Sequence, residues 1–236
     1  MKSLIAQALR QRPGAQEKLM KAATFPRFVE WKEKHPKPFD VAGTKRDLRN
    51  NFFTELVKRE NLSEEAIRYF EFGVHKGASI AWWAENNTNP DSRFYGFDSF
   101  VGLPEDWIKG REKGFFSTDS KTPDIDDSRV SFVAGWFHEN VHRYLSEVAC
   151  DQRVVIHFDA DLYRSTIFPL MVLGPLLKGG DILMFDEFLD SIHEFRAFED
   201  AVNVFSWQYD FLGATPDYAQ VAVRLAAETT PAVSLD

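Results

Sequence analysis

Five short runs in the chain are apolar at consecutive positions, with little alternation: RYFEFGV (68–74), RFYGFDSF (93–100), RVSFVAG (129–135), RVVIHFDAD (153–161) and GDILMFDEF (180–188). A strand with one face in water alternates between apolar and polar residues, and a strand covered on both faces does not. The helical stretches SIAWWAENN, FHENVHRYLSEVA and STIFPLMVLGPLLK separate most of the runs. Parallel strands need such crossovers, because no tight turn can join them. The expected fold class is therefore α/β, a doubly wound sheet. After a helix near HEFRAFEDAVNVF, the runs FSWQYDFLGAT and YAQVAVRLA are parted by Pro216-Asp217 and read as a terminal hairpin. This gives a mostly parallel seven-stranded sheet with one antiparallel strand. Ligands in such sheets bind at the carboxyl ends of the strands.

The N-terminal part is helical instead. A short helix is expected before Pro13, another around FPRFVEWKEK, and a longer one in TKRDLRNNFFTELVKREN, with Thr44 as N-cap and Leu48, Phe52, Phe53 and Leu56 at helical spacing. The division expected is a helical extension over residues 1–62 and a cofactor-binding domain over residues 63–236. A hydrophobic content of 44% and 22 Phe can fill a substantial core. The net charge of -8 argues against nucleic acid, which requires a basic stripe, and it suits a protein that attracts cations. Cys150 stands alone, so no intrachain disulfide or multi-Cys metal site can form, and a reducing cytoplasm is the expected location. The opening MKSLIAQALRQRPG is too short and interrupted for a signal peptide, and no run approaches the roughly 18 apolar residues of a membrane span. The Phe-rich N-terminal helices suggest a homodimer contact.

Two of the strand-like runs end in acids, Asp159 and Asp161 after RVVIHF and Asp186 and Glu187 after ILMF. Asp159 and Asp161, two apart, share a face if both remain in strand geometry. On neighbouring strands about 4.8 Å apart, the two tips fall within one coordination sphere. Carboxylates so placed either raise each other's pKa or recruit a hard divalent cation such as Mg2+ or Ca2+. Solvated strand ends are the alternative.

The glycine turn after the first run, with Gly73 and Gly77, is either a ligand loop or an ordinary strand-to-helix turn. Asp98 ends the second strand, where one carboxylate can hold a ribose diol or cap a turn. Trp136, after Gly135 at the third, either stacks on an adenine or joins the core. The histidines are expected to be structural or solvated before catalytic: His157 reads as a core residue and His138 and His142 as surface neighbours at i, i+4, while His75 sits where it can touch a cofactor and His193 is the one to consider as a substrate contact or rival base. The segment 101–129 is long enough for a lid, with Phe115 and Phe116 either covering an acceptor or packing down as an anchor.

YFEFGVHKGAS, FYGFDSFVGLPEDW, FVAGWF, HFDADLYRST and GGDILMFDEF occur in the order and at about the spacing of the macrocin O-methyltransferase family, which the chain resembles over roughly residues 66–205. The resemblance implies a Rossmann-like class I methyltransferase fold, making residues 63–236 the catalytic domain. It further implies S-adenosylmethionine and Mg2+ as cofactors and a hydroxyl of a sugar or another hydroxylated metabolite as acceptor. By the same resemblance Glu71, Gly73, Gly77 and Ser79 belong to the first cofactor motif, Asp98 and Ser99 to the ribose end, and Gly135 and Trp136 to the adenine region. Asp159, Asp186 and Glu187 match metal ligands, and Asp161 matches the general base. Family members commonly carry Asp-Asp where this chain has Asp186-Glu187. A phenol or catechol acceptor, a non-catalytic cofactor-binding protein of this fold and a nicotinamide-dependent oxidoreductase are the alternatives.

Overall fold

The structure, a computed structural model, describes residues 14–228. The helix expected before Pro13 lies outside them. Helices α1 (Ala15–Lys34) and α2 (Lys45–Glu60) lead into β1 (Ile67–Phe72), α3 (Ala78–Asn86), β2 (Arg93–Asp98), β3 (Val130–Ala134), β4 (Arg153–Phe158), α4 (Tyr163–Leu173), β5 (Ile182–Phe185), α5 (Glu194–Phe205), β6 (Tyr209–Ala214) and β7 (Val221–Leu225). The strands form one seven-stranded sheet in the order β3-β2-β1-β4-β5-β7-β6. β7 is antiparallel to both its neighbours, and every other pairing is parallel. No described helix is long and apolar enough to cross a membrane.

The lack of alternation in the strands has its cause in two cores, one on each sheet face. Phe70, Phe72, Ile156, Phe158, Leu183 and Phe185 pack on one side against Phe28 of α1, Leu170 and Leu173 of α4 and Phe195 and Phe198 of α5. Tyr69, Val155, Ile182 and Met184 point the other way, against Phe52, Phe53 and Leu56 of α2 and Ile80 and Trp83 of α3. Both N-terminal helices thus build core with the sheet. α2 is capped by a reciprocal pair: Thr44 Oγ1 accepts from the Asp47 N–H, and Asp47 Oδ2 accepts from the Thr44 N–H.

Two helices differ from expectation. FPRFVEWKEK is the second half of α1, which runs through Pro26. A proline inside a helix costs a backbone hydrogen bond. Anchors on either side hold the helix together: Thr24 Oγ1 donates to the Met20 carbonyl and lies 3.1 Å from Ser191 Oγ, while Phe28 meets Phe195 edge-on at 5.4 Å. FHENVHRYLSEVA is three short helical turns, Phe137–Asn140, Val141–Tyr144 and Leu145–Val148. The Asn140 side chain donates to the carbonyls of Ala134 and Trp136, a local alternative to continuous helix.

The tips of β1 and β4 meet closely at Gly73. Its φ is 96°, and a Cβ there would lie 1.9 Å from the Asp159 carbonyl oxygen. Gly180 has nearly the same φ, 98°, with nothing within 4 Å of a Cβ. Gly180→Ala should therefore cost only the backbone strain, about 1–2 kcal/mol, while Gly73→Ala should cost several kcal/mol (roughly twice that or more) because backbone must move. Thermal unfolding of the two variants checks this; equal losses would mean that the strand tips are not in tight contact.

Candidate active site

The carboxyl ends of β1, β2, β4 and β5 open into a cavity of about 830 Å3. Gly73, Ser79, Asp98, Ser99 and Trp136 line it, and so do Asp159, Asp161, Asp186 and Glu187. Glu71, Gly77 and Gly135 do not reach the wall: Glu71 is buried beneath it, Gly77 opens α3 with a φ of 77°, and Gly135 leaves no room for a Cβ beside Asn140 Nδ2.

The two-residue period of the strands stacks polar groups on the α2 side of the sheet. Glu71 pairs in register with His157, and His157 with Met184. Continuing along the same face brings Asp159 and Asp186 to the tips. What lies between them is Arg49 of α2. Its Nη1 donates to Asp159 Oδ2 at 3.1 Å and to Ser79 Oγ at 3.1 Å, and its Nη2 lies 3.1 Å from Asp186 Oδ2. The contact to Asp186 is an ion pair without hydrogen-bond alignment, so that this buried oxygen has no hydrogen-bond donor. Burial, then repulsion from Asp186, pushes the Asp159 carboxyl up to about 7. Burial would raise Asp186 too, but His157 and Arg49 outweigh it and hold its carboxyl below the usual value.

Beneath this pair His157 is flanked by acids. Its Nε2 is 3.8 Å from Asp186 Oδ1, and its Nδ1 is 3.6 Å from Glu71 Oε2 and 3.0 Å from the Tyr69 hydroxyl. The Tyr69 hydroxyl in turn donates to Glu71 Oε2 at 2.6 Å. Burial alone would strip the imidazole of its proton, but Asp186 and Glu71 raise it to about 9. His157, Asp159 and Asp186 have ligand atoms within 4.8 Å of one another, a metal-like spacing. Of the three, Asp159 and Asp186 reach the cavity wall, while His157 lies beneath them and faces both Asp186 and Glu71.

Asp161 does not continue the strand. β4 ends at Phe158, and Asp161 adopts a φ of 60° while the Leu162 N–H closes on the Ala160 carbonyl at 2.6 Å. This tight turn turns the carboxyl out of strand register. Burial, then the charges of Asp159 and Glu187, lifts it to about 8. Glu187 lies outside the metal-spaced group; its Oε1 is 3.4 Å from Lys45 Nζ. Its backbone N–H donates to Oε2 of Glu194, a fully buried residue whose carboxyl burial holds well above the ordinary value. His193 accepts the Tyr163 N–H on Nδ1, which fastens the start of α4.

At the other end of the cavity, Asp98 Oδ2 accepts from the N–H groups of Val74 and His75, and Oδ1 from that of Phe100. The carboxylate thus stitches the glycine turn to the tip of β2 and still faces the cavity. Ser99 Oγ donates to the Gly102 carbonyl. The segment after it folds back on itself, with Leu103 and Phe115 joined by a backbone hydrogen bond and Phe116 on the cavity wall.

Arg49 and Lys45 were not among the expected site residues. The signal for Arg49 was present: it lies on the same helical stripe as Phe52, Phe53 and Leu56, where a charge is out of place unless it finds a buried partner. Glu60, at the far end of that stripe, follows the same rule and pairs with Arg153 and Arg224.

Asp161→Gly removes a strained backbone position and a buried carboxyl together. It should raise the unfolding midpoint, by about 1–3 kcal/mol of relieved backbone strain; a lower midpoint in a thermal scan would refute the strained-turn assignment.

No protein-family model and no curated protein matches the chain. Among solved structures it is similar to the calicheamicin methyltransferase CalS11, at 21% identity over 94% of this chain and 90% of that one, with a TM-score of 0.58. It is also similar to the O-methyltransferase NovP, at 20% identity over 78% of this chain and 81% of that one, with a TM-score of 0.56. An apo structure of CalS11, described as a TDP-rhamnose 3'-O-methyltransferase, matches at 21% identity over 94% of this chain and 92% of that one, with a TM-score of 0.53. At this level of identity the likeness establishes the architecture: the chain has the Rossmann-like α/β fold of class I methyltransferases, preceded by N-terminal helices.

Proposed function

We propose that the protein is an S-adenosylmethionine-dependent O-methyltransferase acting on a hydroxyl of a sugar or another hydroxylated metabolite. The observation that carries this reading is the position of Asp161, whose carboxyl is raised to about 8 on the wall of a cavity with room for both a cofactor and an acceptor. Once ionised, a carboxyl of this pKa accepts a hydroxyl proton more readily than an ordinary carboxylate does, and its ionised fraction grows as the pH rises through about 8. The fold shared with CalS11 and NovP, themselves described as methyltransferases, supports the reaction class.

S-adenosylmethionine supplies a methyl group already activated on a sulfonium. Gly73, Ser79, Asp98, Ser99 and Trp136 are the cavity residues we assign to holding it, and Glu71, Gly77 and Gly135 shape the turns beneath. The donor set at the strand tips fits a hard cation, because the oxygens of Asp159 and Asp186 face each other and Asp186 Oδ2 is buried without a hydrogen-bond donor. Asp159 and Asp186, with Glu187 beside them, would hold Mg2+, whose Lewis acidity would lower the pKa of the acceptor hydroxyl. Asp161 takes the proton at its carboxylate as the hydroxyl oxygen attacks the methyl carbon, and the carbon–sulfur bond breaks with its electron pair passing to sulfur, so that S-adenosylhomocysteine leaves. Leu103, Arg111 and Phe116 of the 101–129 segment line the cavity, and we assign them to limiting water when a ligand is bound. In this reading residues 1–62 are more than an appendage, since α2 brings Lys45 and Arg49 to the site. The single Cys150, a free thiol, suits a reducing cytoplasm.

Hydroxylated glycosides and catechols incubated with S-adenosylmethionine should yield S-adenosylhomocysteine, with EDTA abolishing turnover and Mg2+ restoring it; turnover indifferent to chelation removes the metal from the reading. Asp161→Asn should lower turnover by about 100-fold or more with cofactor affinity by calorimetry unchanged. Loss of cofactor affinity instead would take Asp161 out of the base role.

A further inference from the structure

We propose that Arg49 and the divalent cation are alternative occupants of the same two oxygens, Asp159 Oδ2 and Asp186 Oδ2, so that the ion enters only when the guanidinium leaves. The inference rests on the metal role assigned above and deepens it.

The two guanidinium nitrogens each sit on one oxygen of the two carboxylates that have metal-like spacing. Nη1 is 3.1 Å from Asp159 Oδ2, and Nη2 is 3.1 Å from Asp186 Oδ2. Mg2+ binds carboxylate oxygens at about 2.0–2.1 Å. An ion seated on both oxygens would press against both nitrogens, positive against positive, in a pocket where the Asp186 side chain is only 1% exposed. The two occupants therefore exclude each other.

Arg49 has somewhere to go, and α2 does not have to move with it. The helix is pinned by Phe52, Phe53 and Leu56, all fully buried, by the Thr44–Asp47 cap at one end, and by Glu60 with Arg153 and Arg224 at the other. The Arg49 side chain is 28% exposed and lines the main cavity, and its contact to Ser79 lies on the cavity side. The exchange therefore asks only for rotation about the Arg49 side-chain bonds into that cavity. Arg49 thus keeps two converging carboxylates neutralised while the ion is absent, and it lowers the apparent ion affinity by the fraction of time it spends between them.

The test is calorimetric titration of the cofactor-free protein with Mn2+ alone, comparing the unaltered chain with Arg49→Met. If the guanidinium fills the site about nine-tenths of the time, the variant should bind Mn2+ about tenfold more tightly. Equal or weaker binding by a folded Arg49→Met protein overturns the exchange while leaving a metal site in place. Absence of Mn2+ binding in both proteins overturns the exchange and the metal role together. Because Arg49→Met leaves like charges facing each other and can fail to fold, the unaltered chain supplies a second readout. Arginine side-chain NMR should show the Arg49 guanidinium protons exchanging slowly without metal and rapidly after Mg2+ is added. Protons that stay protected at saturating Mg2+ contradict the proposal.

Discussion

Two strand tips place a buried acid, Asp186, next to a half-buried one, Asp159, an arrangement that calls for positive charge among them, and one guanidinium reaching down from α2 supplies it. The constraint follows from the sheet itself. β4 and β5 are neighbours in register, and their α2-facing positions run on past the last apolar residues to these two carboxylates. Removing either carboxylate from water is costly, and their mutual repulsion adds to that cost. Arg49 on one side and protonated His157 on the other offset both, and this allows the acids to face a cavity and not bulk solvent.

α2 is held by packing along its length and by charge at its far end. Its apolar stripe, Phe52, Phe53 and Leu56, is fully buried against the sheet, and Glu60 beyond it pairs with Arg153 and Arg224. Arg49, one turn before the stripe, reaches Asp159 and Asp186 from a helix already fixed by those contacts. Buried pairs of this kind add little net stability, and the contribution of the Glu60 pairs is one of position. Asp161 stands apart from that network, held in its strained turn and raised by burial and by its acidic neighbours.

Much of this was legible in the sequence. Unbroken apolar runs gave a sheet covered on both faces, and the short Pro216-Asp217 link gave the hairpin that reverses β7. The acidic tips were visible because acids rarely follow buried strands without purpose. The helix through Pro26 was not legible, because the anchors that hold it, Ser191 and Phe195, are more than 160 residues away. The turn at Asp161 was hidden for a local reason: aspartate tolerates a positive φ, but DADLY has no glycine or asparagine to mark a break in the strand. Arg49 was hidden by distance, being 110 positions from Asp159 in the chain. Its place on an apolar stripe was the available clue.

The central claim, that Arg49 and Asp186 interact directly across the sheet face, is tested most directly by a double-mutant cycle. Urea unfolding in EDTA would be measured for the unaltered protein, Arg49→Met, Asp186→Asn and the double variant. The expected coupling energy is about 1–3 kcal/mol, the double variant being less destabilised than the two single changes combined. Additive losses, with coupling within about 0.5 kcal/mol of zero, would contradict it.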